Sequence, residues 1–196
     1  MLDFHYLIRM SNLLRSSPDI KSLGDAFSKT QFDSKKWLVE ELARIPKVQQ
    51  KNISIIGGWY GTYLVPMLKV YLQPKHIAFN DVDPDAIRIA KLLNEDKDIT
   101  YKCYDVTKNS EIIYEYNPDI VINTSCEHME DMKNFIRKDS SVLYVLQSCN
   151  NKNDLGHINT HDDLDDFILS SGLRNLYFYG TKDLGHKKRF MLIGSL

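Results

Sequence analysis

The sequence lacks any run of the roughly 18 apolar residues that a membrane-crossing helix needs. Asp3, His5 and Arg9 interrupt the N-terminus before the apolar core of a signal peptide can form. A cytoplasmic location with no membrane partner is therefore expected. Excess charge of one sign is also missing: 25 Lys and Arg against 26 Asp and Glu leave a net charge of -1. That balance gives no footprint for coating duplex DNA. Cysteine is scarce and unpaired, since Cys103, Cys126 and Cys149 are widely spaced with no C-x-x-C pair, so free thiols are expected rather than a zinc or disulfide framework. With 43% hydrophobic and 26% charged residues, composition excludes disordered and fibrous classes. A length of 196 residues fits one domain, 1–196.

Two parts of the chain differ in pattern. In the first 45 residues, Leu2, Tyr6, Met10 and Leu13 recur at helical spacing, a turn follows at Ser16–Asp19, and Ser34 is a candidate N-cap for a helix ending before Pro46. This N-terminal helical segment reads either as a packing cap on the rest or as a lid over a site. From 53 to 194 the pattern becomes short, nearly continuous apolar runs separated by helical stretches. The runs are Ile53–Gly57, Ile77–Asp81, Ile99–Tyr104, Ile120–Asn123 and Val142–Gln147. Parallel strands covered on both faces read this way. Helix starts are expected at Asp83 with Pro84, at Thr107, and at Thr160 with the acidic residues behind it. Leu176–Tyr179 and Arg189–Ile193, joined by Gly180–Lys188, leave no room for a helix and predict a terminal antiparallel hairpin. The fold class is α/β, a three-layer sandwich around a mostly parallel seven-stranded sheet, preceded by N-terminal helices.

Chemistry gathers where the strands end. Ile53-Ser-Ile-Ile-Gly-Gly-Trp-Tyr-Gly-Thr-Tyr runs from a strand through Gly57, Gly58 and Gly61 into a helix. Such a turn lets backbone approach a ligand and offers it a helix N-terminus. Ile56 stands where a dinucleotide fingerprint needs glycine, and no Walker lysine follows. Asp81 ends the second strand, where a carboxylate can accept both hydroxyls of a ribose, or simply serve the strand-end turn. Asp83 is a ligand group or the N-cap before Pro84. Asp105, after the third strand, is an acceptor for a base amine or a cap for the next helix.

In their order these segments resemble the class I S-adenosylmethionine-dependent methyltransferases, over roughly residues 53 to 194. That family has a glycine turn after strand one, acidic residues after strands two and three, and a terminal antiparallel hairpin. The resemblance implies a Rossmann-like fold and S-adenosyl-L-methionine as cofactor. It places Gly57, Gly58 and Gly61 along the methionine part, Asp81 at the ribose hydroxyls, and Asp105 with the Val106 backbone at the adenine; Trp59 and Asp83 are further candidates for cofactor binding. The family's G-x-G-x-G would have glycine at position 59, where Trp59 stands, and an acidic residue at 55, where Ile55 stands. Trp59 and Tyr60 are read either as a cation-π shield for the sulfonium or as packing.

After the fourth strand comes Asn123-Thr-Ser-Cys-Glu-His-Met. Glu127-His128 looks like the segment of several small-molecule methyltransferases in which a histidine takes a proton from a hydroxyl acceptor, and imidazole suits that work. The alternative is a histidine bonded to Glu127 or to backbone. Asn123, Ser125 and Glu127 are assigned to substrate or to the cofactor's amino-acid end. The segment lacks the (D/N/S)-P-P-(Y/F/W) motif of DNA amino-methyltransferases, and Cys126 has no Pro-Cys context and reads as a buried thiol. Further on, His157, His161, Asp162 and Asp163 read as a polar loop and helix cap rather than a metal site. His186-Lys187-Lys188-Arg189 reads as a solvated cluster at the hairpin turn, or a phosphate contact.

The function expected is methyl transfer to a small polar or nucleotide-containing acceptor, with duplex DNA disfavoured. The competing expectations are an aminopropyl or aminocarboxypropyl transferase on the same scaffold, and a non-catalytic module that binds S-adenosylmethionine or a partner. A nicotinamide-dinucleotide enzyme survives only through the glycine turn and Asp81.

Overall fold

Seven strands form one sheet in the order β3-β2-β1-β4-β5-β7-β6. The computed structural model describes residues 4–16, 20–137 and 141–196. Strands β1 (Asn52–Ile56), β2 (His76–Asp81), β3 (Ile99–Cys103), β4 (Ile120–Asn123) and β5 (Leu143–Cys149) are mutually parallel. β7 (Lys188–Ser195) inserts antiparallel between β5 and β6 (Asn175–Asp183). The central β4 is buried at every position, which is why its sequence, Ile-Val-Ile-Asn, shows no alternation.

Helices cover both faces. On one, α3 (Lys29–Ala43), α4 (Leu64–Tyr71) and α5 (Pro84–Leu93) pack Leu38, Leu42, Leu64, Leu68 and Ile87 against Ile53, Ile55, Phe79, Ile122 and Met191. On the other, Phe167 of α6 (Leu164–Ser171) joins Ile113, Tyr114 and Phe135 over Val121, Tyr144, Leu146, Phe190 and Leu192. The odd and even residues of each strand thus feed different cores, as the period of two requires. Helices α1 (Phe4–Ser16) and α2 (Ile20–Ala26) build a third cluster, in which Leu13, Leu23 and Ala26 meet Tyr60, Ile89 and Leu93. Polar ties hold that cap in place: the Thr62 hydroxyl donates to the Ala26 carbonyl at 2.9 Å, and the Tyr63 hydroxyl to the Phe27 carbonyl at 2.9 Å.

Several boundaries differ from the sequence reading. Helix α3 starts six residues earlier, with Ser28 as its cap accepting from the Gln31 N–H. Ser34 lies inside the helix, buried, and donates to Gln147 of β5 at 3.0 Å. Thr107 bonds Asp105 instead of opening a helix; a short 3-10 turn, Ser110–Tyr114, follows under an Asn109 cap. The α6 cap is Asp163, accepting from Asp166, rather than Thr160. Strand β6 continues to Asp183, because its polar residues face solvent from a sheet edge, and the hairpin connection shrinks to 184–187. A 3-10 turn, Cys126–His128, follows β4. The Asp83-Pro84 helix start holds, with Asp83 accepting from the Asp85 N–H at 2.9 Å. The expected turn at Ser16–Asp19 falls largely on residues 17–19, outside the described residues. Among the described residues no helix is long and apolar enough to cross a membrane.

Candidate functional site

The strand order reverses between β1 and β4, and ligands of open α/β sheets bind at the carboxyl ends of strands beside such a switch. A cavity of about 850 Å³ opens there. Its walls come from the turn after β1, the ends of β2 and β3, the segment after β4, the loop after β5, the β6–β7 connection, and helix α3 with the residues before it.

The glycine turn forms one wall. Gly57 and Gly61 have φ of +58° and +61°, and a β-carbon on Gly58 would lie 2.3 Å from the Phe79 ring. Position 58 is therefore reserved by packing, and 57 and 61 by backbone conformation. Trp59 also has positive φ, at 50°. The backbone at this position keeps the left-handed conformation that glycine adopts freely, and a tryptophan holds it at a cost of about 1 kcal/mol. Its indole stacks on Tyr60, with centroids 4.6 Å apart. The first turn of α4 has no side-chain cap, and Tyr63 and Leu64 line the cavity beside it.

Asp81 ends β2 almost fully buried, at 9% exposure, and lines the cavity. Its Oδ2 accepts from the Trp59 N–H at 2.7 Å and its Oδ1 from the Asp83 N–H at 3.0 Å. Burial raises its pKa, against the pull of those two bonds. Each oxygen keeps a further lone pair. On the neighbouring strand end, Asp105 accepts from the Thr107 N–H and hydroxyl, which lower its pKa, and Val106 is buried beside it; both line the cavity.

Opposite stands the segment after β4. Glu127 and Arg189 form a buried ion pair, and Arg189 also donates to the Thr124 carbonyl. Burial opposes ionisation of Glu127, but the guanidinium beside it holds its pKa below the ordinary value. His128 Nδ1 lies 3.1 Å from the Gly156 carbonyl, so the proton sits on Nδ1 and Nε2 is left as an acceptor. Burial lowers its pKa below 6.5, with a smaller contribution in the same direction from His157, whose ring packs edge-on at 4.6 Å. His128 is thus neutral at neutral pH and able to take a proton.

The structure brings Gly57, Gly58, Trp59, Gly61, Asp81, Asp105, Val106, Glu127 and His128 to one cavity. Two expected ligands stay away from it. Asp83 spends its carboxylate on the α5 cap. Asn123 is fully buried, its Oδ1 accepting from the Ser125 N–H at 2.8 Å and its amide directed at the sulfurs of Met129 and Met132. Cys126 is a buried thiol whose pKa burial pushes up, and it does not line the cavity. His161 is locked between the Ser148 and Ser170 hydroxyls. Glu127, Cys149 and His157 do converge within 4.8 Å. However, His157 Nδ1 is 2.5 Å from the Asn151 carbonyl and so carries a proton, while Arg189 already holds the carboxylate.

The sequence reading missed Lys35, Lys187 and Arg189. Three of the four residues of the presumed solvated run, His186, Lys187 and Arg189, line the cavity, although His186 is itself exposed there, and Lys188 is exposed and lies outside it. The period of two was the available signal: Arg189 shares a face with Met191 and Ile193, both in the α3-side core.

No family model matches the sequence, and no curated protein does. The fold is that of the class I S-adenosylmethionine-dependent methyltransferases. The chain is similar to magnesium protoporphyrin IX methyltransferase (ChlM) from Synechocystis PCC 6803 with bound SAH, at a TM-score of 0.63 and 11% identity, over 98% of this chain and 100% of that one. It is also similar to MtNAS in complex with S-adenosylmethionine, at 0.60 and 11%, over 98% and 72%. A third similar structure is the bifunctional kinase-methyltransferase WbdD, at 0.62 and 16%, over 95% of this chain and 46% of that one, so the chain spans about half of WbdD. At these identities the likeness concerns the fold alone.

Proposed function

We propose that the protein is an S-adenosylmethionine-dependent methyltransferase acting on a small polar acceptor. The observation that carries this reading is the buried Asp81 carboxylate, fixed by the Trp59 and Asp83 N–H groups at the cavity and keeping a free lone pair on each oxygen. A vicinal diol is the complementary ligand. Gly57 and Gly61 let the chain pass close to the rest of the nucleoside, and Val106 offers an apolar surface beside Asp105 for a base. The neighbours ChlM and MtNAS, crystallised with SAH and S-adenosylmethionine, support the same choice of ligand.

When bound, S-adenosylmethionine supplies an activated methyl group. The residues after β4 do the remaining work. Ser125 Oγ donates to the Gly57 carbonyl at 3.1 Å, tying the acceptor side to the glycine turn. A nucleophile held there gives its lone pair to the methyl carbon while the carbon–sulfur pair returns to sulfur, and the proton it sheds passes to His128 Nε2. Holding the two reactants in line provides most of the acceleration, and the neutral histidine adds the proton acceptor.

Calorimetric titration with S-adenosylhomocysteine, with NAD in parallel, tests the cofactor. Micromolar binding of S-adenosylhomocysteine alone is expected; binding of NAD alone, or of neither, sinks the reading. Analysis of the nucleoside product then separates methyl transfer, which releases S-adenosylhomocysteine, from aminocarboxypropyl or aminopropyl transfer, which releases methylthioadenosine. Binding with no turnover in any extract returns the non-catalytic module.

A further inference from the structure

Three polar groups at the far end of the cavity are unsatisfied by protein. Glu127 Oε2 and Arg189 Nε are buried with no hydrogen-bond partner, and a buried polar group left bare is destabilising. Lys35 Nζ has no hydrogen-bond or ion-pair partner among the described residues. All three residues line the cavity. Their convergence follows from the fold. Ser34 and Gln147 clasp α3 to β5 through two bonds of 3.0 and 3.2 Å, Gln147 is the register partner of Met191, and Arg189 lies two residues before Met191 on the same sheet face. Lys35, next to Ser34, is thereby set over that end of the sheet.

Charge narrows what can fill the gap. Arg189 pairs with Glu127, and Lys187 lies 3.7 Å from Asp154. Those pairs cancel, and Lys35 is left as the one basic side chain among these groups without a carboxylate partner among the described residues. Burial, and next the charge of Arg189, hold its pKa well below the usual lysine value. The complementary ligand is a monoanion that offers oxygen to Lys35 and Arg189 Nε and a hydrogen to Glu127 Oε2.

We propose that the methyl acceptor is a small amino-carboxylate, its carboxylate held by Lys35 and Arg189 Nε and its amine N–H accepted by Glu127 Oε2. This rests on the methyltransferase reading and specifies the acceptor for it. The amine reacts as its free base, having released its extra proton to solvent on binding, and its lone pair forms the new carbon–nitrogen bond as the carbon–sulfur bond breaks. The resulting ammonium passes one proton to His128, adjacent to Glu127 in the chain.

The test begins with protein saturated in S-adenosylhomocysteine, so that donor-site binding is scored first. Glycine, β-alanine, L-alanine and L-phenylalanine are then titrated, each against its amide, and inorganic phosphate separately. At least one amino acid is expected to bind with Kd below 1 mM, and its amide at least tenfold more weakly. Lys35→Met should abolish that discrimination while leaving S-adenosylhomocysteine affinity within twofold, and Lys35→Arg should retain it. Equal binding of acid and amide, no amino-acid binding, or tighter binding of phosphate overturns the proposal. So does weakened S-adenosylhomocysteine binding in Lys35→Met, which would assign these groups to the donor's own amino-acid end. Failure of the wild-type protein to bind S-adenosylhomocysteine overturns the methyltransferase reading and this proposal with it.

Discussion

The backbone N–H of Trp59 donates to Oδ2 of Asp81 at 2.7 Å, so the turn after β1 and the end of β2 are one unit. The carboxylate is at once a structural acceptor and, of the two strand-end acids Asp81 and Asp105 that line the cavity, the more buried. Asp81→Ala should therefore have two effects. S-adenosylhomocysteine affinity should fall at least tenfold, or about 1.4 kcal/mol. Stability should fall by about 1–3 kcal/mol, because two N–H groups lose their acceptor. Calorimetry and urea titration read the two separately, and unchanged affinity would reduce Asp81 to a turn residue.

Trp59 occupies a left-handed backbone position without being glycine. Trp59→Gly removes the backbone strain but also a ring stacked on Tyr60, contributions of similar size. Its stability should stay within about 1 kcal/mol of wild type. Trp59→Val loses the stack and keeps a β-branched residue at positive φ, so its urea midpoint should fall clearly below that of the glycine variant. Equal midpoints would show that the strain is relieved elsewhere.

Gly58 is reserved by the Phe79 ring rather than by φ. Gly58→Ala should cost about 1–3 kcal/mol through overpacking. Adding Phe79→Leu should return part of that loss, giving a coupling of at least 0.5 kcal/mol in a double-mutant cycle. Additive effects would mean that the turn, not the ring, rejects the methyl.

The Glu127–Arg189 pair sets an acid limb of stability. The folded-state pKa of Glu127 is depressed below 4.5. Its contribution is therefore complete above that value and is lost as pH falls through the folded pKa. Glu127→Gln should flatten stability below pH 4.5, and at pH 7 it should cost about 3–5 kcal/mol, because Arg189 stays buried and uncompensated. Thermal unfolding from pH 3 to 7 shows both, and an unchanged slope would mean the acid limb has another source.

Under the proposed mechanism His128 gives the rate its own pH dependence. With its pKa lowered from 6.5 by burial, the neutral base is present at pH 7 and is lost on acidification. For any acceptor that turns over, kcat/KM should rise with pH through an inflection below 6.5, and His128→Gln should remove that inflection along with about 10²–10⁴ of the rate. An inflection surviving in the variant would belong to the acceptor.

The reach of the sequence can be traced residue by residue. Ile120–Asn123 is a strand with the bounds its apolar run predicts, and Asp83-Pro84 opens a helix as its chemistry requires. Both signals are local, since they depend on burial of neighbours and on one cap. Ser34 misled because a serine before an apolar stretch looks the same whether it caps a helix or reaches across 113 residues to Gln147.

What the sequence determined by itself was the order of its chemical landmarks: glycines after one strand, carboxylates after the next two, a polar segment after the fourth, a hairpin at the end. Order in the chain maps onto position along a parallel sheet, because each crossover returns the next strand end to the same edge. Only the tertiary structure decided which of those groups face the cavity. Asp83 and Asn123 were drawn into capping and packing by partners within a few residues. Lys35, Lys187 and Arg189 were brought in by a helix clasp and a strand pairing whose partners lie far away in the chain. Those contacts form only when distant segments pack and must satisfy each other's buried polar groups, and no local pattern encodes that.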